Sequence, residues 1–150
     1  MMRRFQFEAE VYESLSCLPM AARRKLDLLG IKVSLDQWQH LGRGERLMIC
    51  HAPANSAEES DALRLFINEA TIAKAGSAPK ELPQEIRNGA RPPKAPPSRL
   101  IDNAKSVGAT LTQAKWDALD DDQRYALMKL GAAEKTSHNL KAAMSEFLGG

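Results

Sequence analysis

The chain has 150 residues, of which 43% are hydrophobic; this is enough for a sizeable core and excludes a disordered tail. Its 21 basic and 19 acidic residues leave a net charge of only +2, so the overall charge gives little support for binding to nucleic acid or to a membrane. There is no apolar run of the roughly 18 residues that a membrane helix needs, and no apolar core of a signal peptide, so we expect a cytoplasmic protein.

The first predicted element is an extended strip at the N-terminus. In the segment FQFEAEV, apolar and polar side chains alternate, with Phe5, Phe7, Ala9 and Val11 on one side. This period of two is typical of an extended strand. Because a lone strand is marginal in water, we expect the strip to dock along the rest of the protein.

Four short helices are predicted after the strip. Pro19 suits the first turn of a helix, and Gly30 suits the left-handed residue that ends one. Ser34 then caps a second helix, which carries Trp38 towards the interior. A third helix follows, and a fourth begins at the capping box Ser56–Glu59.

The segment 76–96 is predicted to be a flexible linker. It is rich in proline, which removes backbone donors, and it is poor in apolar residues. Counted from Gly76 to Arg99, it has five basic and two acidic residues, so the basic excess of the chain lies here. We therefore divide the chain into an N-terminal helical region with the strip (1–75), a basic Pro-rich linker (76–96) and a C-terminal helical region (97–150).

The two helical regions are predicted to be copies of one another. A shift of 78 positions brings the two tryptophans of the chain into coincidence. The identical pairs are Pro19 and Pro97, Gly30 and Gly108, Trp38 and Trp116, Leu41 and Leu119, and Arg46 and Arg124. In the fourth helix the same shift pairs Ala62 with Leu140 and Phe66 with Met144. We predict an all-α protein, a compact helical bundle of two pseudo-symmetric repeats in one globule.

Metal binding is the sharpest chemical hypothesis that the residues allow. Two thiols and two imidazoles lie in the N-terminal half, at Cys17, His40, Cys50 and His51. No CxxC or HxxxH pair is present, and adjacent Cys50 and His51 point about 100° apart on a helix. We therefore predict no metal site, with buried cysteines as free thiols and histidines at the surface.

Other chemistries also lack a motif. Cys17 and the serines before it have no nearby catalytic partner, and His138 is a lone imidazole. Gly42 and Gly44 follow no predicted strand and precede no Lys-Ser or Lys-Thr pair, which excludes a phosphate-binding loop. The basic cluster Arg23–Lys25 is interpreted as a solvated face. We predict that the protein is not an enzyme, has no cofactor and binds neither nucleic acid nor membrane.

The sequence resembles the nitrate-reductase-associated protein family over most of its length outside the linker. The resemblance rests on the segment LTQAKWDALDDDQRYALMKL and on Phe5, Phe7, Glu8, Cys17, Pro19, Met20, Lys25, Leu26, Asp27, Gly30 and Trp38. Members of this family are small cytoplasmic proteins associated with assimilatory nitrate reductase, and in cyanobacteria a member is needed for full activity of that enzyme. The resemblance implies nitrate reductase as the partner and supplies no catalytic residues.

We therefore predict a non-catalytic accessory or maturation protein that binds assimilatory nitrate reductase. The candidate binding residues are Phe5, Phe7, Cys17, Pro19, Met20, Arg23, Arg24 and Lys25. Two alternatives stay open. One is a small redox or metal-carrying protein in which Cys17 and Cys50 meet in space. The other is a regulator of nitrogen assimilation that binds a small ligand between the two repeats.

Overall fold

The computed structural model of the protein describes residues 2–132 and 138–149. Its regular secondary structure is almost entirely helical, which confirms the prediction of an all-α protein. Two compact units are present: unit 1 comprises Met1–Arg4 and Ala9–Ala90, and unit 2 comprises Phe5–Glu8 and Arg91–Gly150. Across the described ranges, none of the helices combines the length and apolar character required to cross a membrane.

Unit 1 contains short helices and one small sheet. The helices are α1 (Ala9–Ser14), α2 (Met20–Leu29), α3 (Leu35–His40), α4 (Arg43–His51), α5 (Ala57–Ala75) and α6 (Gln84–Gly89). Strands β1 (Ile31–Lys32) and β2 (Lys80–Glu81) pair antiparallel, with Ile31 opposite Glu81. The longest helix, α5, packs against α3 and α4.

Helix α2 has the boundaries that its sequence predicts. Pro19 is the extended residue that precedes the helix, and Gly30 ends it with a left-handed φ of 79°. The buried side chains of the helix are Ala22, Leu26 and Leu29. They are spaced by three and four residues, so they share one face, and that face packs into the core of unit 1.

The side chain of Trp38 is fully buried in the core of unit 1. Ser34 and Gln37 position it by capping α3: Ser34 Oγ accepts from the Gln37 N–H at 3.1 Å, and Gln37 Oε1 accepts from the Ser34 N–H at 3.0 Å. The indole Nε1 donates to the carbonyl of Leu15 at 2.7 Å. Arg46 Nε in turn donates to the carbonyl of Trp38 at 3.1 Å. The position of Trp38 is thus fixed both by the local capping of α3 and by hydrogen bonds to more distant residues.

The Pro-rich segment 76–96 carries secondary structure that its composition does not predict, namely β2 and α6. The Leu82 N–H donates to the carbonyl of Gly30 at 2.9 Å, and Arg24 Nε donates to the carbonyl of Ala90 at 3.0 Å. The boundary between the units falls after Ala90, so most of the segment belongs to unit 1. Such short elements leave no periodic pattern in the sequence, because tertiary contacts rather than propensity stabilise them.

Unit 2 begins with a 3₁₀ turn at Gln6–Glu8. Its helices are α7 (Ser98–Ser106), α8 (Gln113–Ala118), α9 (Asp121–Gly131) and α10 (His138–Leu148). Asp120 caps α9 through its side chain, which accepts from the Gln123 N–H at 2.8 Å. The core residues of unit 2 are Leu100, Ala104, Leu111, Trp116, Leu119, Leu127, Leu140, Ala143 and Met144.

Three helices in each unit start at a constant spacing of 78 residues. α2 and α7 start at positions 20 and 98, α3 and α8 at 35 and 113, and α4 and α9 at 43 and 121. The fourth helix departs from this spacing, because Ala62 is exposed whereas Leu140 is buried. Leu63 and Ile67 are buried as Leu140 and Met144 are, so two buried positions of α5 match two of α10 at a spacing of 77.

The prediction of an extended N-terminal strip is wrong. Residues Gln6–Glu8 form the 3₁₀ turn, and α1 follows directly. The carboxylate of Glu146 accepts from the N–H groups of Gln6 and Phe7 at 3.0 and 2.9 Å, which fixes the turn against α10. The rings of Phe5 and Phe7 both contact Phe147. An extended strand would also place these two rings on one side, so the alternation in the sequence does not distinguish the two conformations.

Candidate partner-binding surface

The predicted binding residues Phe5 and Phe7 lie in an aromatic cluster of unit 2. Their rings stack with centroids 5.7 Å apart, and the ring of Phe147 lies 5.0 Å from that of Phe5. Phe5 is 2% exposed and Phe7 is half-buried. Phe5 therefore has almost no surface with which a partner could make contact.

The other predicted binding residues lie in and just before α2, in unit 1. Cys17 is exposed, Pro19 is buried and Met20 is half-buried. Arg23 is exposed. Arg24 is half-buried, and its Nε donates to the carbonyl of Ala90, the residue that follows α6. Within this group, Cys17 and Arg23 offer the open surface.

Lys25 is a cap for the C-terminal end of α4. Its Nζ donates to the carbonyls of Ile49, Cys50 and Ala52 at 3.1, 2.9 and 2.7 Å. The last carbonyls of a helix have no partner within the helix, so the ammonium satisfies groups that would otherwise need water. Burial lowers the pKa of Lys25, and the electrostatic interaction with Cys50 opposes this by raising it. The three contacts place Lys25 in the packing of unit 1.

The four candidate metal ligands have different surroundings. Cys50 is fully buried, whereas Cys17 is exposed, so the expectation of two buried cysteines is wrong for Cys17. Both are free thiols. His40 and His51 are exposed, and the side chain of His138 lies outside the described residues. Within the described part of the chain, no group of three or more His, Cys, Asp or Glu side chains could hold a metal ion.

Unit 1 also has a set of exposed apolar side chains that the sequence analysis missed. Among the described residues, every exposed large apolar side chain belongs to this unit. They are Leu35, Leu47, Met48, Leu65, Ile72 and Ile86. Exposed apolar side chains that share a face are typical of interaction surfaces.

Helix α5 is apolar on two opposite sides. Leu63, Ile67 and Ala70 lie in the core of unit 1. Leu65 and Ile72 are 59% and 53% exposed. They are seven residues apart, which places them almost in line on the outer side of the helix. A helical projection of the sequence would have shown these two apolar sides.

The outer side of α5 is acidic as well as apolar. Glu58, Asp61 and Glu69 are exposed there, at helical spacings from Leu65. Asp61 Oδ1 lies 2.7 Å from Arg64 Nη2 and pairs with it. We call this side of the helix the acidic-apolar face and define it by Glu58, Asp61, Leu65, Glu69 and Ile72.

The comparisons with known proteins identify the family. The family model of the conserved nitrate reductase-associated proteins matches residues 4–147. No curated protein and no solved structure matches the chain. The family match covers nearly all of the sequence and includes residues from both units. The chain therefore belongs to the conserved nitrate reductase-associated protein family, as the sequence analysis predicts.

Proposed function

We propose that the protein is a non-catalytic accessory or maturation protein that binds assimilatory nitrate reductase in the cytoplasm and supports its activity. The observation that carries the proposal is the family match over residues 4–147, since the family is described as nitrate reductase-associated. The protein acts by contact: it binds the reductase, including its apo form, and stabilises a state that is competent for cofactor insertion or electron transfer.

We infer further that the two units are copies of one helical module. Trp38 Nε1 donates to the carbonyl of Leu15 at 2.7 Å, and Trp116 Nε1 donates to the carbonyl of Pro93 at 3.1 Å. Donor and acceptor are each displaced by 78 residues between the units. The indole bond thus joins equivalent positions in the two units, which supports the inference of a duplication.

Two further contacts recur at this spacing. In the first, Arg46 Nε donates to the carbonyl of Trp38 at 3.1 Å, and Arg124 Nε donates to the carbonyl of Trp116 at 3.0 Å. In the second, Lys25 caps the end of α4, and Asn103 Nδ2 donates to the carbonyl of Gly131, at the end of α9, at 2.7 Å. Lysine and asparagine thus perform the same capping at equivalent positions. Because these recurring side chains stabilise the fold of each unit, we expect other side chains to bind the partner.

The exposed apolar side chains on α4 do not recur at the equivalent positions of unit 2. Leu47 and Met48 on α4 are exposed, whereas Tyr125 and Ala126, 78 residues later, are buried. The exposed apolar side chains of unit 1 are therefore not a requirement of the module. We assign partner binding to unit 1, where Cys17 is also exposed.

The test uses cells grown on nitrate. The full chain, used as bait, should recover nitrate reductase from such cells. A deletion strain should have less reductase activity per amount of reductase protein, and the wild-type gene should restore it. Normal reductase activity in the deletion strain would contradict the proposal. A fall in reductase protein at constant specific activity would contradict a role in maturation and leave a role in protecting the enzyme.

A further inference from the structure

We propose that the acidic-apolar face of α5 binds a helix of the partner protein whose apolar residues are flanked by Lys or Arg. The inference rests on the proposed function, in which that partner is nitrate reductase. It assigns the contact to one side of one helix and states the chemistry that the reductase must present there.

The apolar part of the argument concerns Leu65 and Ile72. Both side chains are more than half exposed, although each costs free energy when it is open to water. They are two helical turns apart, about 10.5 Å along the axis. Apolar residues at positions i and i+7 lie on one side of a helix and are among the anchor positions used when helices recognise one another.

The internal comparison shows that the module does not need this apolar pair. At the spacing of 77 residues that matches α5 with α10, the equivalent of Leu65 is Ala142, and Ile72 corresponds to Gly149, which lies beyond the end of α10 at Leu148. Neither has a large apolar side chain. The pair is therefore a property of unit 1, and packing within the module does not explain it.

The charged part of the argument concerns Glu58 and Glu69. Both are exposed, and neither pairs with a cation in the part of the chain that the structure describes. Asp61 adds a third carboxylate, which Arg64 partly neutralises. This excess of negative charge attracts Lys and Arg side chains. It also disfavours a second copy of the chain as the occupant, because two such faces would repel one another.

The experiment measures binding of the full-length protein to purified nitrate reductase from the same organism. The variant L65Q/I72Q removes the apolar pair, and E58K/E69K reverses the two carboxylates. Each should weaken binding at least tenfold. Raising the salt concentration should weaken binding of the wild type and affect E58K/E69K less, since screening acts on the attraction that this variant lacks.

Two matched controls accompany these variants. L47Q/M48Q replaces an exposed apolar pair on α4, and E10K/E85K makes the same change in net charge elsewhere in unit 1. Both controls should bind like the wild type. Glutamine is a good helix former, and Glu10, Glu58 and Glu85 all lie in first turns of helices, so the variants and their controls carry similar small costs in folding. Circular dichroism and unfolding midpoints check that every variant folds.

The outcomes separate this inference from the proposed function. Wild-type affinity in both α5 variants would overturn the inference and leave the proposed function standing. Loss of binding in L47Q/M48Q alone would move the contact to α4, and loss in L65Q/I72Q but not in E58K/E69K would exclude a basic partner helix. A wild-type dimer that L65Q/I72Q converts to a monomer would identify a second copy as the occupant and overturn the inference. Failure of the wild type to bind the reductase would overturn both.

Discussion

Trp38 donates its indole hydrogen bond to the carbonyl of Leu15 at 2.7 Å, and Leu15 has a left-handed backbone with φ of 52°. A left-handed conformation costs about 1–2 kcal/mol for a residue with a side chain. The bond offsets part of that cost, and Arg46 Nη1 donates to the same carbonyl at 3.2 Å. The side chain of Leu15 is 1% exposed, so burial stabilises the same conformation. The contact joins the segment before α2 to α3.

Replacement of Trp38 by Phe should therefore destabilise the protein more than the same change at Trp116. In W38F, the buried carbonyl of Leu15 keeps only its bond from Arg46, and the smaller ring leaves a small cavity. Together these changes should lower the free energy of unfolding by about 2–3 kcal/mol. The equivalent bond of Trp116 is longer, at 3.1 Å, and its acceptor Pro93 is exposed, so W116F should cost less. Urea unfolding followed by circular dichroism measures both values. An equal or larger loss in W116F would contradict the comparison.

Lys25 should make the stability depend on pH in the alkaline range. Burial lowers its pKa below the ordinary value of 10.5, so between the two pKa values the unfolded chain binds more protons than the folded chain. The free energy of unfolding therefore rises with pH through that interval. Replacement by Met removes this contribution. It also leaves the end of α4 without its cap, so K25M should be less stable than the wild type at every pH.

The measurement is the difference in the free energy of unfolding between the wild type and K25M, taken at several pH values from neutral to 10.5. The difference should grow as the pH rises. Titrating groups that do not interact with Lys25 are present in both proteins and largely cancel. A difference that is constant, or that shrinks with pH, would contradict the assigned burial of the ammonium.

The helix boundaries could be predicted because local chemistry sets them. Pro19 and Gly30 restrict the backbone at the two ends of α2, and Ser34 caps α3 through a bond within one turn. The role of Lys25 could not be predicted in this way. Its acceptors lie 24 to 27 residues away, and they come together only when α2 packs against α4.

The candidate surface could have been predicted in part. Leu65 and Ile72 stand opposite the buried stripe of α5, and a projection of that helix places them there. Whether these two side chains are exposed depends on which elements pack on α5, and the hydrophobic periodicity of the sequence does not show this. The secondary structure of segment 76–96 could not be predicted from its own sequence either, because hydrogen bonds to distant residues such as Gly30 and Arg24 stabilise it.

Gly30 and Gly108 offer a matched test of backbone strain. Both have left-handed φ values, 79° and 82°. A Cβ on Gly108 would meet nothing within 4 Å, so G108A should cost about 1–2 kcal/mol from the backbone alone. A Cβ on Gly30 would lie 2.6 Å from Arg87 Nε, so G30A must also displace the guanidinium and should cost more.

A double-mutant cycle separates the two contributions to G30A. Removing the guanidinium in R87A should reduce the cost of G30A to that of G108A, because the backbone strain alone then remains. The free energies of unfolding of the wild type, G30A, R87A and G30A/R87A give the coupling. Additive costs for G30A and R87A would show that the arginine moves aside freely.

Glu146 should control the order of the N-terminal 3₁₀ turn in unit 2. Its carboxylate accepts from the N–H groups of Gln6 and Phe7, and these are charge-assisted bonds at 3.0 and 2.9 Å. Replacement by Ala removes both acceptors, so the amides of residues 6 and 7 should exchange with solvent faster. Replacement by Gln keeps one oxygen acceptor and should give an intermediate rate. Hydrogen exchange measures these rates, with the exposed neighbour Ser145→Ala as the control. Unchanged exchange at both amides in E146A would mean that the packing of Phe5 and Phe7 on Phe147 is sufficient to hold the turn.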